Sequence, residues 1–184
     1  MPPGRAGQLI TYAGGMEWVH LSAMALDLIA ELEALIESFE SGDVEYALCG
    51  GLAVAIHGHP RATMDIDVLV PAEQLAVAIQ AARAAGFDIP ARKMVFGLRT
   101  GTPREMQRVS KLDPETNELM SLDLIVVGPG LEDVWNGRLL VPWRERDVAI
   151  VSRAGLVTMK RLAGRPQDLA DIAALEEADD NDQT

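Results

Sequence analysis

The sequence predicts an α/β (α+β) domain, a mixed β-sheet flanked by helices and followed by a C-terminal helical part. Three observations carry that prediction. Apolar runs of strand length, such as Met64 to Val70 and Leu119 to Val127, alternate with stretches whose apolar residues recur every three or four positions. The later strands are separated only by hairpin-length turns, so the sheet is mixed rather than wholly parallel. The third is bulk: 184 residues at 48% hydrophobic content can bury one core, and an aromatic share of 4% leaves aliphatic side chains to fill it.

Residues 1–19 hold two prolines and four glycines without periodicity and read as a flexible leader. Leu21, Met24, Ala25, Leu28, Ile29, Leu32, Leu35, Ile36 and Phe39 then form one helical stripe, closed by Ser41-Gly42. Val44 to Cys49 reads as a strand running into Gly50-Gly51, and Leu52 to Ile56 as a short helix. His57-Gly58-His59-Pro60-Arg61 is a turn, punctuated by glycine and proline. Thr63 to Val70 is a strand ended by Pro71, and Ala72 to Ala85 a helix stopped by Gly86. Short strands are expected over Phe87 to Pro90, Lys93 to Arg99, Arg104 to Leu112 and Leu119 to Val127, with turns at Gly101-Thr102-Pro103 and Asp113-Pro114. A short helix at Leu131 to Asn136 and a strand at Val148 to Val151 precede two helices, Ala154 to Leu162 and Gln167 to Glu177, split by Gly164-Arg165-Pro166. One domain over 20–178 follows, with its core in 44–127, its helical part in 152–178 and an acidic tail at 179–184.

Composition narrows the function classes. No apolar run approaches the ~20 residues of a membrane span, and Met1-Pro2-Pro3-Gly4-Arg5 lacks the apolar stretch of a secretory signal. Cys49 is the only cysteine, which rules out an intrachain disulfide and fits a reducing cytoplasm. A net charge of −12 argues against a general nucleic-acid coat protein. The charge is unevenly spread, however: Arg92, Lys93, Arg99, Arg104, Arg108 and Lys111 face a single nearby acid, Glu105. Such a stretch suits a phosphate-bearing substrate and equally suits a solvated strand face. Trp18, Trp135 and Trp143 are too scattered for a base-stacking platform.

The chemistry concentrates in Asp65-Ile66-Asp67, two acids inside an apolar run. Side chains alternate along a strand, so both lie on one face roughly 6–7 Å apart. Ionised carboxylates that close repel and lose hydration, and a divalent cation is the natural compensation; acids at a strand end reaching solvent are the plain alternative. Asp123, in Ser121-Leu122-Asp123-Leu124-Ile125, shares a face with Ile125 and Val127 and is the candidate third ligand. Three carboxylates on adjacent strands suit two Mg²⁺ ions, hard cations that favour oxygen. Gly50-Gly51 at a strand-to-helix turn lets a phosphate approach the backbone. Thirteen residues separate Gly51 from Asp65, enough for the chain to return beside that turn. His57 and His59 are alternative zinc ligands, although a turn histidine more often bonds backbone or solvent.

Cys49-Gly50-Gly51, the turn His57 to Thr63, Asp65-Ile66-Asp67-Val68 and the later Asp123 together resemble the signature of the polymerase-β-like minimal nucleotidyltransferases. Lys160 and Arg165-Pro166-Gln167-Asp168-Leu169-Ala170-Asp171-Ile172 look similar to the C-terminal helices of the AbiEii-like group, many of which are toxins of toxin–antitoxin pairs. The resemblance spans Val44 to Val70, Leu119 to Val127 and Val148 to Leu175. It implies the nucleotidyltransferase fold and Mg²⁺-dependent transfer of a nucleoside monophosphate from a nucleoside triphosphate to an acceptor hydroxyl, with a tRNA 3′ end, a protein side chain or a small molecule as acceptor and an antitoxin as possible partner. It also implies roles. Asp65, Asp67 and Asp123 would bind metal, with Asp123 taking the hydroxyl proton. Gly50, Gly51, Arg61 and Thr63 would meet the nucleotide, and Lys160 would neutralise triphosphate charge. Asp168 and Asp171 would anchor Lys160 or Arg165. A degenerate relative that binds nucleotide or partner without turnover is the alternative.

Overall fold

A computed structural model describes residues 26–97, 103–144 and 146–181. The expected leader, the helical positions Leu21, Met24 and Ala25, the turn at Gly101-Thr102 and the end of the acidic tail lie outside the described residues. Helix α1 (Leu28–Ser41) starts where Asp27 caps it, accepting hydrogen bonds from Ile29 N at 3.0 Å and Ala30 N at 3.3 Å. The predicted stripe therefore enters the helix at Leu28, and Leu32, Leu35, Ile36 and Phe39 are completely buried.

The remaining order is β1 (Ala47–Leu48), α2 (Gly50–Ile56), β2 (Asp65–Val70), a 3₁₀ turn (Ala72–Gln74), α3 (Leu75–Ala84), β3 (Ile89–Pro90), β4 (Met94–Phe96), β5 (Arg104–Leu112), β6 (Leu119–Val126), α4 (Glu132–Asn136), β7 (Leu139–Trp143), β8 (Arg146–Ile150), α5 (Arg153–Ala163) and α6 (Pro166–Asn181). The sheet runs β3-β5-β6-β2-β1-β8-β7, with β4 also paired to β5. Pairs β2–β6 and β1–β8 are parallel and the rest antiparallel, which makes the sheet mixed as predicted. The strand β7 was not foreseen, because Pro142 within Leu139 to Trp143 argues against a strand. It lies at the sheet edge, the part of a sheet that accommodates proline.

Strand alternation divides the core in two. Ile66, Val68 and Val70, with Leu122, Leu124 and Val109, pack against α1 and α3. Leu69, Ala47 and Cys49, with Ile125 and Val127, pack against Ala53 and Val54 of α2, Val134 of α4, Leu156 and Val157 of α5 and Leu175 of α6. The chemistry lies on this second side. Among the described residues no helix is long and apolar enough to cross a membrane.

Candidate active site

Strand β2 sits centrally, and its first and third residues, Asp65 and Asp67, share a face with Leu69. Its parallel partner β6 is in a register that sets Asp67 opposite Asp123 and Asp65 opposite Ser121. The three predicted acids therefore meet on one side of two adjacent strands, beneath α2, α5 and α6. Asp123 is buried at 5% exposure, while Asp65 and Asp67 are partly buried. Burial, then the charges of Asp123 and Asp65, push the Asp67 carboxyl from 3.8 up to about 6, and Arg165 and Lys160 only partly offset this. The same burial and the same acids, Asp67 and Asp123, raise the Cys49 thiol well above its ordinary value. Cys49 is a small, fully buried core residue whose amide donates to Asp67 O at 2.9 Å.

The glycine pair opens α2 against this strand. Gly50 has φ +61°, and a Cβ there would lie 1.9 Å from Asp67 Oδ2. A Cβ on Gly51 would stand 2.8 Å from Thr63 Oγ1 and 3.1 Å from Arg61 Nη2. The sequence assigned the missing side chains to an approaching phosphate. In the fold they admit Asp67, Thr63 and Arg61, so the turn and the carboxylates are packed as one unit. Thr63 Oγ1 donates a long 3.4 Å bond to Asp65 O.

Lys160 is buried at 5% exposure rather than lying on an outer helix face. Its Nζ donates to Asp171 Oδ2 at 2.5 Å and stands 3.7 Å from Asp168 Oδ1. Arg61 Nε reaches the same Asp171 at 3.0 Å. Arg165 forks onto Asp168 at 2.9 and 3.2 Å, which holds the guanidinium charged. Burial of Asp168 favours its neutral form, but the Arg165 hydrogen bonds outweigh it and hold the carboxyl below its ordinary value. The predicted anchoring by Asp168 and Asp171 is thus present. It ties α5 and α6 to the Arg61 turn beside the carboxylates. A cleft of about 470 Å³ lies between Gly58, His59, Pro60 and Arg61 on that turn and Gln167, Ala170, Asp171 and Ala174 on α6.

Arg108 is the residue that sequence reasoning missed as part of the site. In the β5–β6 hairpin Leu112 pairs with Leu119, and the same register sets Arg108 opposite Asp123. Nε donates to Oδ1 at 2.6 Å and Nη2 to Oδ2 at 2.8 Å. This ion pair raises the Arg108 pKa. Counting back in step from the expected strand ends, Leu112 and Leu119, would have found the pair. The basic stretch is not one face: Arg104 and Arg108 point to the carboxylate side, whereas Lys111 binds Glu31 of α1 on the other, and Lys93 pairs with Glu105.

A divalent cation fits this donor set chemically: the ligands are all oxygen, and the charge of Asp67, set between two acids, is only partly offset by Arg165 and Lys160. As arranged, both Asp123 oxygens are held by Arg108, and among the described residues no three His, Cys, Asp or Glu side chains are gathered to hold a metal ion. Zinc at His57 finds no support, since its Nε2 lies 2.8 Å from Val151 O.

No protein-family model matches this chain, and no curated protein matches it. Solved structures do. ANT(2″)-Ia, in complex with adenylyl-2″-tobramycin, aligns at TM-score 0.54 and 10% identity over 82% of this chain and 88% of its own. The lincosamide antibiotic adenylyltransferase LnuA, lincomycin-bound, aligns at TM-score 0.50 and 15% identity over 80% and 95%. At these identities the likeness is one of fold: the helix-flanked mixed sheet is that of these nucleotidyltransferases.

Proposed function

We propose that this protein is a metal-dependent nucleotidyltransferase that moves a nucleoside monophosphate from a nucleoside triphosphate to an acceptor hydroxyl and releases pyrophosphate. One observation carries the reading: the register that sets Asp123 beside Asp67, with Asp65 on the same face and the Gly50-Gly51 turn packed onto Asp67. A structural role alone gives no reason to gather three acids on one partly buried sheet face.

In this reading Asp65 and Asp67 hold the cation, with Asp123 as the third donor. The bound ion would neutralise the phosphates and lower the pKa of the attacking hydroxyl. The chain supplies the rest. The acceptor oxygen attacks the α-phosphorus, the bond to the β-phosphate oxygen breaks, and Asp123 takes the hydroxyl proton. Arg61 and Thr63, beside Gly51, face the nucleotide. Lys160, tied to Asp171, contributes positive charge near Asp67 and holds α5 against α6.

The acceptor is proposed to be a small hydroxyl-bearing molecule. Support comes from the size of the cleft beside Arg61 and from neighbours of the same fold that carry an adenylylated aminoglycoside and a bound lincosamide. An RNA 3′ end has less support, because the cations of the basic stretch divide between two faces and Lys93, Arg108 and Lys111 are paired with acids. A toxin role with an antitoxin partner rests on the sequence resemblance alone.

The test is transfer of label from four α-³²P nucleoside triphosphates, with Mg²⁺, to aminoglycosides, lincosamides, total tRNA and protein. Label on one acceptor class with matching pyrophosphate, lost in Asp65→Ala and Asp67→Ala proteins of unchanged fold, is expected. Mg²⁺-dependent nucleotide binding without transfer to any acceptor would favour the non-catalytic binding module.

A further inference from the structure

We propose that the outer strands of the sheet carry the acceptor subsite: Met94 and Phe96 of β4 and Met106 of β5 form an apolar floor for the body of a neutral, apolar-substituted alcohol whose hydroxyl reaches Asp123. The proposal rests on the nucleotidyltransferase reading and names its acceptor class.

Register builds the floor. Residues directly opposite one another in paired strands share a face. One row across the sheet reads Arg108, Asp123 and Asp67 on β5, β6 and β2. The next row, two residues along each strand, reads Met94, Met106, Ile125 and Leu69 on β4, β5, β6 and β2. Phe96 lies opposite Arg104 in the row beyond. Two residues along a strand span about 7 Å, so the apolar row begins one side chain away from the carboxylates. Ile125 and Leu69 pack under the helices, whereas Met94 and Met106 are only partly covered and Phe96 is 48% exposed. Arg104 forms the wall toward the helices, its Nη2 donating to Leu162 O in the last turn of α5 at 2.8 Å.

The side chains select the ligand. A phenyl ring and two thioethers offer polarisable apolar surface that suits a flat or alkyl group. No acid of β4 or β5 shares this face, since Glu105 stands opposite Val95 on the other one and pairs there with Lys93. The guanidiniums of Arg104 and Arg108 border the floor, so a polycationic acceptor meets like charge. The glycine turn, with Arg61 and Thr63 against it, stands at the β1 side of the acids and the floor at the β5 side. Nucleotide and acceptor therefore approach from opposite flanks.

The test titrates full-length protein carrying ¹³C-methyl methionine with phenyl β-glucoside, methyl β-glucoside and glucosamine, without metal or nucleotide. The Met94 and Met106 methyl signals, assigned through Met94→Leu and Met106→Leu, shift with the phenyl glucoside alone. Phe96→Ala weakens that binding about fivefold, while Val95→Ala, on the opposite face of the same strand, leaves it unchanged. In the labelled-transfer assay the phenyl glucoside accepts in preference to glucosamine, and Phe96→Ala raises its KM about fivefold with kcat retained. The proposal is overturned by silent Met94 and Met106 signals, by a shift at the His59 ring in the cleft beside Arg61 instead, or by equal losses in Phe96→Ala and Val95→Ala. Methionine shifts that track protein concentration without ligand overturn it too, because a second copy then covers the floor. Failure of the nucleotidyltransferase reading looks different: the methionine signals shift and Phe96→Ala weakens binding, yet no label moves. The floor then stands as a binding site for such alcohols and its acceptor role falls.

Discussion

Asp67→Asn tests whether the site is electrostatically strained when no metal is present. Burial, with Asp123 opposite and Asp65 two residues away, pushes the Asp67 carboxyl from 3.8 up to about 6. Each pKa unit corresponds to about 1.36 kcal/mol, so an ionised Asp67 disfavours the fold by about 3 kcal/mol relative to the unfolded chain. Because the folded pKa is the higher one, the native state binds the extra proton between 3.8 and about 6. Asp67 thus favours the fold at low pH, and that contribution declines as pH rises through the window and levels off above it. The carboxamide keeps the shape and removes the charge. Urea unfolding in EDTA at about pH 7.5 is expected to find the variant about 1–3 kcal/mol more stable than wild type. That corresponds to several degrees in Tm for a domain of this size. Near pH 4 wild-type Asp67 is protonated and the two curves should converge. A variant no more stable at the higher pH, or a gap that fails to close at the lower, would refute the reasoning. Nucleotidyl transfer should be lost in the same protein, stability gained where function is given up.

Other substitutions probe the supports. Gly50→Ala places a Cβ at φ +61° and against the Asp67 carboxylate; the backbone alone costs about 1–3 kcal/mol, and chemical denaturation should register at least that loss. Lys160→Met leaves Asp171 to Arg61 and Asp168 to Arg165 and removes one buried charged hydrogen bond, so it should destabilise by about 1.5–3 kcal/mol, read by the same method; an unchanged midpoint would free Lys160 from its structural role. Cys49, fully buried and with its thiol pushed up, should resist iodoacetamide in native protein at neutral pH and react only once unfolded, as mass spectrometry would show. Mn²⁺ affinity should weaken as pH falls below about 6, where the proton competes for Asp67; a flat titration would place the ion elsewhere.

Much of this was legible in the chain. The stripe from Leu28 to Phe39 and the runs around Asp65 and Asp123 are periodic enough to name their elements and faces, and the structure keeps them. Alternation required Asp123 to share a face with Ile125 and Val127, and it does. What escaped was of another kind. Strand β7 was hidden by Pro142, which is tolerated only because the strand is an edge. Anchoring of Lys160 by Asp171 was expected, but not the burial of the amine between α5 and α6 or the sharing of that carboxylate with Arg61.

The sequence by itself determined the side of each strand on which an acid must point, because alternation and helical periodicity are local properties of consecutive residues. It also determined that the carboxylates sit in apolar company and need compensating charge. Only the tertiary structure decided what that compensation is. Parallel pairing of β2 with β6 put Asp67 against Asp123, the β5–β6 hairpin delivered Arg108 to both of its oxygens, and helix packing joined Lys160 and Arg61 at Asp171. Partners far apart in the chain are chosen by sheet register and helix packing, and no local pattern encodes a contact between them.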